Sequence, residues 1–203
     1  MAREIKVATF NVEWMVNLFK NGTPEMLTKQ NKGTPGLGAK PKNPQGVATR
    51  IASVIQAVDA DILGICEGPP LKTQMQTFVK EKLGDIYTVY SMQDGPQSIH
   101  VLVHKRLEAR IKASQPSESD KVFERLRTVR LYHKFGNVKV THKGQFTRLP
   151  VVLRLERKDK ITEIMALHTK SKISDLKKAR DWKIGRRPGS SAPSTRGKSS
   201  PSR

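Results

Sequence analysis

"QGVATRIASVIQAVDADILGICEGPP", residues 45–70, decides how this chain folds. Val47, Ile51, Val54, Ile55 and Val58 recur at helical spacing, so the first half of the stretch predicts an amphipathic helix. The second half, "DADILGICE" (59–67), is an apolar run of strand length. It ends in a carboxylate, Glu67, and then in Gly68, Pro69 and Pro70, which cannot extend a ladder. A charged group at the mouth of a buried strand calls for something that pairs with it.

Upstream, "EIKVATFNVEW" (4–14) is rich in β-branched and aromatic residues and predicts a first strand. Ile5, Val7 and Thr9 fall on one face and Lys6, Ala8 and Phe10 on the other, with burial expected to increase toward the far end. Residues 20–46 are dense in Gly, Pro, Asn and Lys and have no period. They predict a long loop, a lid, binding loop or disordered stretch, with at most a helical turn at Glu25–Lys29. Strand, loop, helix and strand form a βαβ-like unit; if its strands run parallel, both end on the same side of the sheet.

Downstream, "LKTQMQTFVKEKL" (71–83) repeats the helical stripe through Leu71, Met75, Phe78, Val79 and Leu83. Strands are expected at "IYTVY" (86–90), "SIHVLVH" (98–104), "PVVLRLE" (150–156) and "ITEIMALH" (161–168), with turns at "QDGPQ" (93–97) and "ERKDK" (156–160). Alternation in "HVLVH" puts His100, Leu102 and His104 on one face, and both histidines are expected to face solvent. A last helix is predicted over 174–184, with Ser174 as its cap and Leu176, Ala179 and Ile184 as apolar contacts. Residues 185–203 hold no large apolar side chain and cannot pack, so a domain over 1–184 and a disordered tail over 185–203 are expected.

The 203 residues suffice for one domain, and they carry 38 Lys and Arg against 18 Asp and Glu, a net +20. The segment 181–203 supplies +5 of that, so the other 180 residues keep +15. The folded part itself is basic, which points to a polyanionic partner such as nucleic acid. The single cysteine, Cys66, excludes an intramolecular disulfide, and its apolar setting suits a core residue better than a nucleophile. With no apolar leader and no stretch of membrane-spanning length, a soluble cytoplasmic protein is expected.

Three polar residues share one position in this scheme. Asn11, Glu67 and His168 are each the first polar group after a predicted buried strand, where an α/β sheet forms a crevice. An amide oxygen and a carboxylate suit a hard divalent cation, because Mg2+ takes oxygen donors and keeps several waters. A histidine beside it can stabilise or protonate a phosphoryl oxygen. Each residue also has a plainer role: Asn11 as a turn cap, Glu67 as a cap at the approach to a helix, His168 as a satisfied loop histidine.

The blocks "IKVATFNVEWM", "RIASVIQAVDADILGICEG", "RLPVVLRLE" and "ITEIMALHTKSK" occur in an order and spacing that resembles the endonuclease/exonuclease/phosphatase superfamily, which includes deoxyribonuclease I. The resemblance covers about residues 4–180 and is carried most by the helix, the "DADILG" turn and the glutamate after it. It implies an α/β fold, the N-terminal part of a deoxyribonuclease I-like β-sandwich flanked by helices, and Mg2+- or Mn2+-dependent hydrolysis of phosphodiesters. By resemblance Glu67 is the metal ligand, with Asn11 beside it, touching the metal directly or through water. Arg148 looks like an arginine that contacts substrate phosphate, and His168 like the histidine that supports the phosphorane or leaving group. Lys170 and Lys172 match basic positions that add phosphate contacts, or else form a solvated basic loop.

The family's later motifs, a Gly-Asp-Phe-Asn run that orients the attacking water and a Ser-Asp-His run that activates it, do not occur in these 203 residues. The resemblance therefore implies a member truncated before them, with apolar surface and strand edges left uncovered. Nuclease-type hydrolysis is the leading expectation, and the alternatives are a non-catalytic nucleic-acid-binding protein or an inactive fragment.

Overall fold

Asn43 starts the helix that follows the long loop: its side chain accepts a hydrogen bond from the Gly46 N–H at 2.8 Å, and Pro44 takes the first helical position. In the computed structural model this helix, α1, runs Pro44–Val58 and stops where Asp59 turns left-handed. Residues 4–31, 40–92, 97–115, 128–135, 138–145 and 150–168 are described, with backbone alone over 128–135 and 138–145. All of them belong to the unit Met1–Thr169.

The strands before and after α1 are β1 (Val7–Asn11) and β2 (Ile62–Gly68). They pair in parallel, Val7 opposite Ile62 and Asn11 opposite Cys66, so both deliver their last residues to one end of the sheet. Helix α2 (Lys72–Lys82), β3 (Tyr87–Met92) and β4 (Ser98–His104) follow. The sheet order is β1-β2-β4-β3, with β4 antiparallel to both neighbours. A short helix α3 (Lys105–Glu108) leads to β5 (Lys112–Ser114). Strands β6 (Thr128–Phe135) and β7 (Val138–Gln145) form a two-stranded hairpin. Strands β8 (Val151–Arg157) and β9 (Lys160–Ala166) join β5 in a second sheet ordered β5-β8-β9.

The first sheet is covered on both faces. On one, Leu63, Ile65 and Leu102 pack with Ile51 and Ile55 of α1 and Met75 and Phe78 of α2. On the other, Ile62, Ile99, Val101 and Val103 pack with Val151, Leu153 and Leu155 of β8, one sheet against the other. Each of these side chains contributes about 1.5–3 kcal/mol by leaving water, which is what holds the layers together. The mixed α/β sandwich flanked by helices agrees with the expected fold class.

Several local expectations are corrected. β1 is an edge strand, and Thr9 and Asn11 are exposed rather than increasingly buried. Val54 of α1 is 45% exposed; the buried stripe runs through Ala48, Ile51, Ala52 and Ile55 instead. No helical turn forms at Glu25–Lys29, where Met26 bridges Phe19. His100 does not face solvent but is fully buried, because β4 lies between two strands and under two layers, and His104 is half-buried. Cys66 is half-buried rather than part of the core. The expected helix at 174–184 and tail at 185–203 lie outside the described residues.

Ile5 just before β1, Val7 on β1, and Ile161 and Met165 on β9 are exposed, and an apolar groove of about 370 Å³ runs between the two strands. Among the described residues no helix is long and apolar enough to cross a membrane.

Candidate metal and phosphate site

The end of β2 is where the chain departs from regular geometry. Ile65 pairs with His100, but Gly68 pairs with Ser98, so β2 carries one residue more than β4 across the same span. This bulge re-aims the side chains within it. Glu67 sits there with φ +59°, a left-handed conformation that a residue with a side chain seldom adopts and that surrounding contacts must hold.

Those contacts come from β4. The His100 ring lies against Gly68 so closely that a Cβ on that glycine would stand 2.4 Å from His100 Cδ2. His100 Nε2 is 2.8 Å from the Pro69 carbonyl oxygen, which can only accept, so Nε2 carries the proton and donates. Burial holds the His100 pKa down to about 4 and keeps the ring neutral.

Around the Glu67 carboxylate, three strands contribute. Asn11, from the end of β1, donates its amide N–H to Glu67 Oε1 at 3.3 Å. Gln97, just before β4, donates to Glu67 Oε2 at 3.2 Å. His168, just after β9, places Nε2 3.7 Å from Glu67 Oε1, arriving from the second sheet. Glu67 and His168 keep 18% and 19% of their side chains exposed, enough for a ligand to reach them.

The Asn11 amide oxygen accepts the Glu13 N–H at 3.0 Å. Its amide is thereby oriented with nitrogen toward Glu67, so it braces the carboxylate. Among the described residues no three His, Cys, Asp or Glu side chains gather into a metal cage. The donor set still fits Mg2+, which is commonly held by one or two carboxylates with water filling the remaining positions.

Of the residues singled out in the sequence, Asn11, Glu67 and His168 come together, while Arg148, Lys170 and Lys172 lie outside the described residues. Gln97 and His100 were not anticipated as parts of the site. The signal for Gln97 is topological: a residue just before β4 must lie beside the end of its antiparallel neighbour β2.

No family model matches the chain, and no curated protein matches it. Among solved structures, it is similar to a humanized D. rerio TDP2 carrying 14 mutations, at 11% identity and TM-score 0.43, over 89% of this chain and 54% of that one. A truncated Caenorhabditis elegans TDP2 matches at 16% identity and TM-score 0.35, over 62% and 40%. D. rerio TDP2 complexed with a single strand DNA product matches at 11% identity and TM-score 0.36, over 68% and 45%. The chain spans about half the length of these structures. All three are structures of TDP2.

Proposed function

We propose that the site around Glu67 binds a divalent cation and a phosphodiester of nucleic acid, and that its chemistry is hydrolysis by in-line attack of water. The observation that carries this reading is the convergence of Asn11, Glu67 and His168, from three strands and two sheets, on one carboxylate. Glu67 would hold Mg2+ or Mn2+, whose charge lowers the energy of the phosphoryl oxygens as negative charge builds on them.

The protein's own groups then have distinct tasks. Asn11 and Gln97 fix the carboxylate through their amide N–H groups. His168 donates to a phosphoryl oxygen or to the leaving oxygen, and Arg148, Lys170 and Lys172 contact substrate phosphate. The new bond joins the water oxygen to phosphorus, the ester P–O bond breaks, and the departing oxygen takes up a proton. The net charge of +20 supports nucleic acid over a small phosphoester, because it attracts a polyanion.

A second reading, binding without cleavage, is favoured by the net charge of +20, which attracts a polyanion whether or not a bond in it is cut. Incubating purified protein with labelled single- and double-stranded DNA and Mg2+ separates the two. Cleavage abolished by EDTA and by Glu67→Gln supports hydrolysis. Binding without cleavage by wild-type protein supports the second reading, and neither binding nor cleavage rejects both.

A further inference from the structure

We propose that His100 is a positioning residue for Glu67: its buried ring, wedged against Gly68 and bonded to Pro69, holds the bulge that aims the carboxylate. The proposal rests on the reading of Glu67 as a cation ligand and names what keeps that ligand in place.

A histidine in this position is poorly accounted for as core filling. His100 has no exposed surface, and its neighbours on the helix-facing layer, Leu102 and Met75, are apolar. Because Nε2 must donate to Pro69, Nδ1 is left as an acceptor, and among the described residues it has no partner. Burying a polar atom unsatisfied is unfavourable, so a leucine of similar volume would serve a purely structural core better. What leucine lacks is a donor for the Pro69 carbonyl.

The bond to Pro69 falls two residues beyond Glu67, and the ring contact at Gly68 falls one beyond it. Together they fix the chain immediately after the left-handed residue. The bulge cannot relax into regular pairing without Gly68 and Pro69 shifting relative to the ring. His100 is therefore tied through two successive residues to the direction in which the Glu67 side chain points, without touching the carboxylate. This is the role that outer partners play around metal ligands, where their loss commonly weakens metal binding 10- to 100-fold.

The test uses the full chain with Mn2+ alone as the probe. His100→Leu removes the donor; His100→Gln retains one at the Nε2 position. Mn2+ affinity is read by electron paramagnetic resonance, and the metal-free bulge by the backbone amide resonances of Glu67 and Gly68. His100→Leu is expected to weaken Mn2+ binding by about 10- to 100-fold and to move both resonances, with His100→Gln close to wild type in each. If His100→Leu does not fold, His100→Asn, whose amide occupies the Nδ1 rather than the Nε2 position, takes its place. Wild-type Mn2+ affinity or unmoved resonances in the donor-less variant overturn the proposal. Should wild-type protein bind no Mn2+, the cation reading fails by itself, and the resonances still decide whether His100 sets the bulge.

Discussion

Gln97 holds Glu67 from behind: a side chain on a residue only 4% exposed donates its amide hydrogen to Glu67 Oε2 at 3.2 Å. With Asn11 on Oε1, each carboxylate oxygen has a fixed amide partner and a lone pair left over. The carboxylate is preorganised, which is the condition for binding a strongly hydrated cation through one protein oxygen.

Replacing Gln97 with leucine removes one of those donors while keeping a side chain of comparable bulk. Mn2+ affinity, measured by electron paramagnetic resonance, is expected to fall about tenfold, in the range for loss of an outer partner of a metal ligand. Glu67→Gln in the same assay is expected to remove specific binding. Equal affinity of Gln97→Leu and wild type would show that Glu67 needs no bracing from β4.

Two glycines in β2 give opposite expectations. At Gly68 an added Cβ stands 2.4 Å from His100 Cδ2 and 3.3 Å from Met75 Cε, so Gly68→Ala must displace the ring or the bulge. Overpacking of this kind costs about 1–3 kcal/mol. At Gly64 the nearest atoms are Ala166 Cβ at 3.6 Å and Thr9 Oγ1 at 3.8 Å, ordinary contacts, so Gly64→Ala is expected to be close to neutral. Urea denaturation of both variants tests the pair, and equal destabilisation would contradict the described bulge.

The helices and central strands were readable because their apolar periods are clean: Ile51 and Ile55 mark α1, and "ILGIC" marks β2. The convergence of Asn11, Glu67 and His168 was readable because each ends a strand. What the pattern could not supply was the order of strands. "HVLVH" alternates like a half-exposed strand, yet β4 is internal, so the pattern points its polar member His100 to solvent although it lies in the core. "VATFN" has the composition of a buried strand but sits at an edge. The β6–β7 pair is not legible in the sequence because its strands are studded with Lys, Arg and His and lack an apolar alternation.

Acid should weaken the fold through His100. Its folded pKa, held at about 4 by burial, lies below the ordinary value of 6.5, so the unfolded chain binds the proton more readily. Stability is therefore greatest above the unfolded value and is lost as pH falls from 6.5 toward 4, by about 3 kcal/mol over the whole window. His100→Gln, which does not titrate, should flatten that part of the profile. Denaturant midpoints measured from pH 7 to pH 4 check this, and an unchanged slope in the variant would place the acid sensitivity elsewhere.

The "DAD" before β2 makes a separate prediction about what anchors the sheet. Asp61 is 7% exposed and accepts hydrogen bonds from the Lys6 backbone N–H at 2.9 Å and from Arg106 Nε at 2.7 Å. Its own backbone joins β1 and β4, donating to Lys6 O and accepting from His104 N, each at 2.8 Å. Asp59 also accepts from Arg106, but it is exposed, and that bond lowers its pKa below the ordinary carboxylate value. Its contribution is present above the ordinary value, vanishes as pH falls through the lowered one, and is weakened by salt. Asp61→Ala instead leaves the Lys6 N–H and Arg106 Nε without their acceptor while Arg106 keeps Asp59, and loss of a buried hydrogen-bond partner costs about 1–3 kcal/mol. In a double-mutant cycle, Asp61 and Arg106 should therefore show strong coupling that persists in high salt, and Asp59 and Arg106 weak coupling that salt removes. Equal salt sensitivity of the two pairs would show that burial of Asp61 does not decide which carboxylate anchors the sheet.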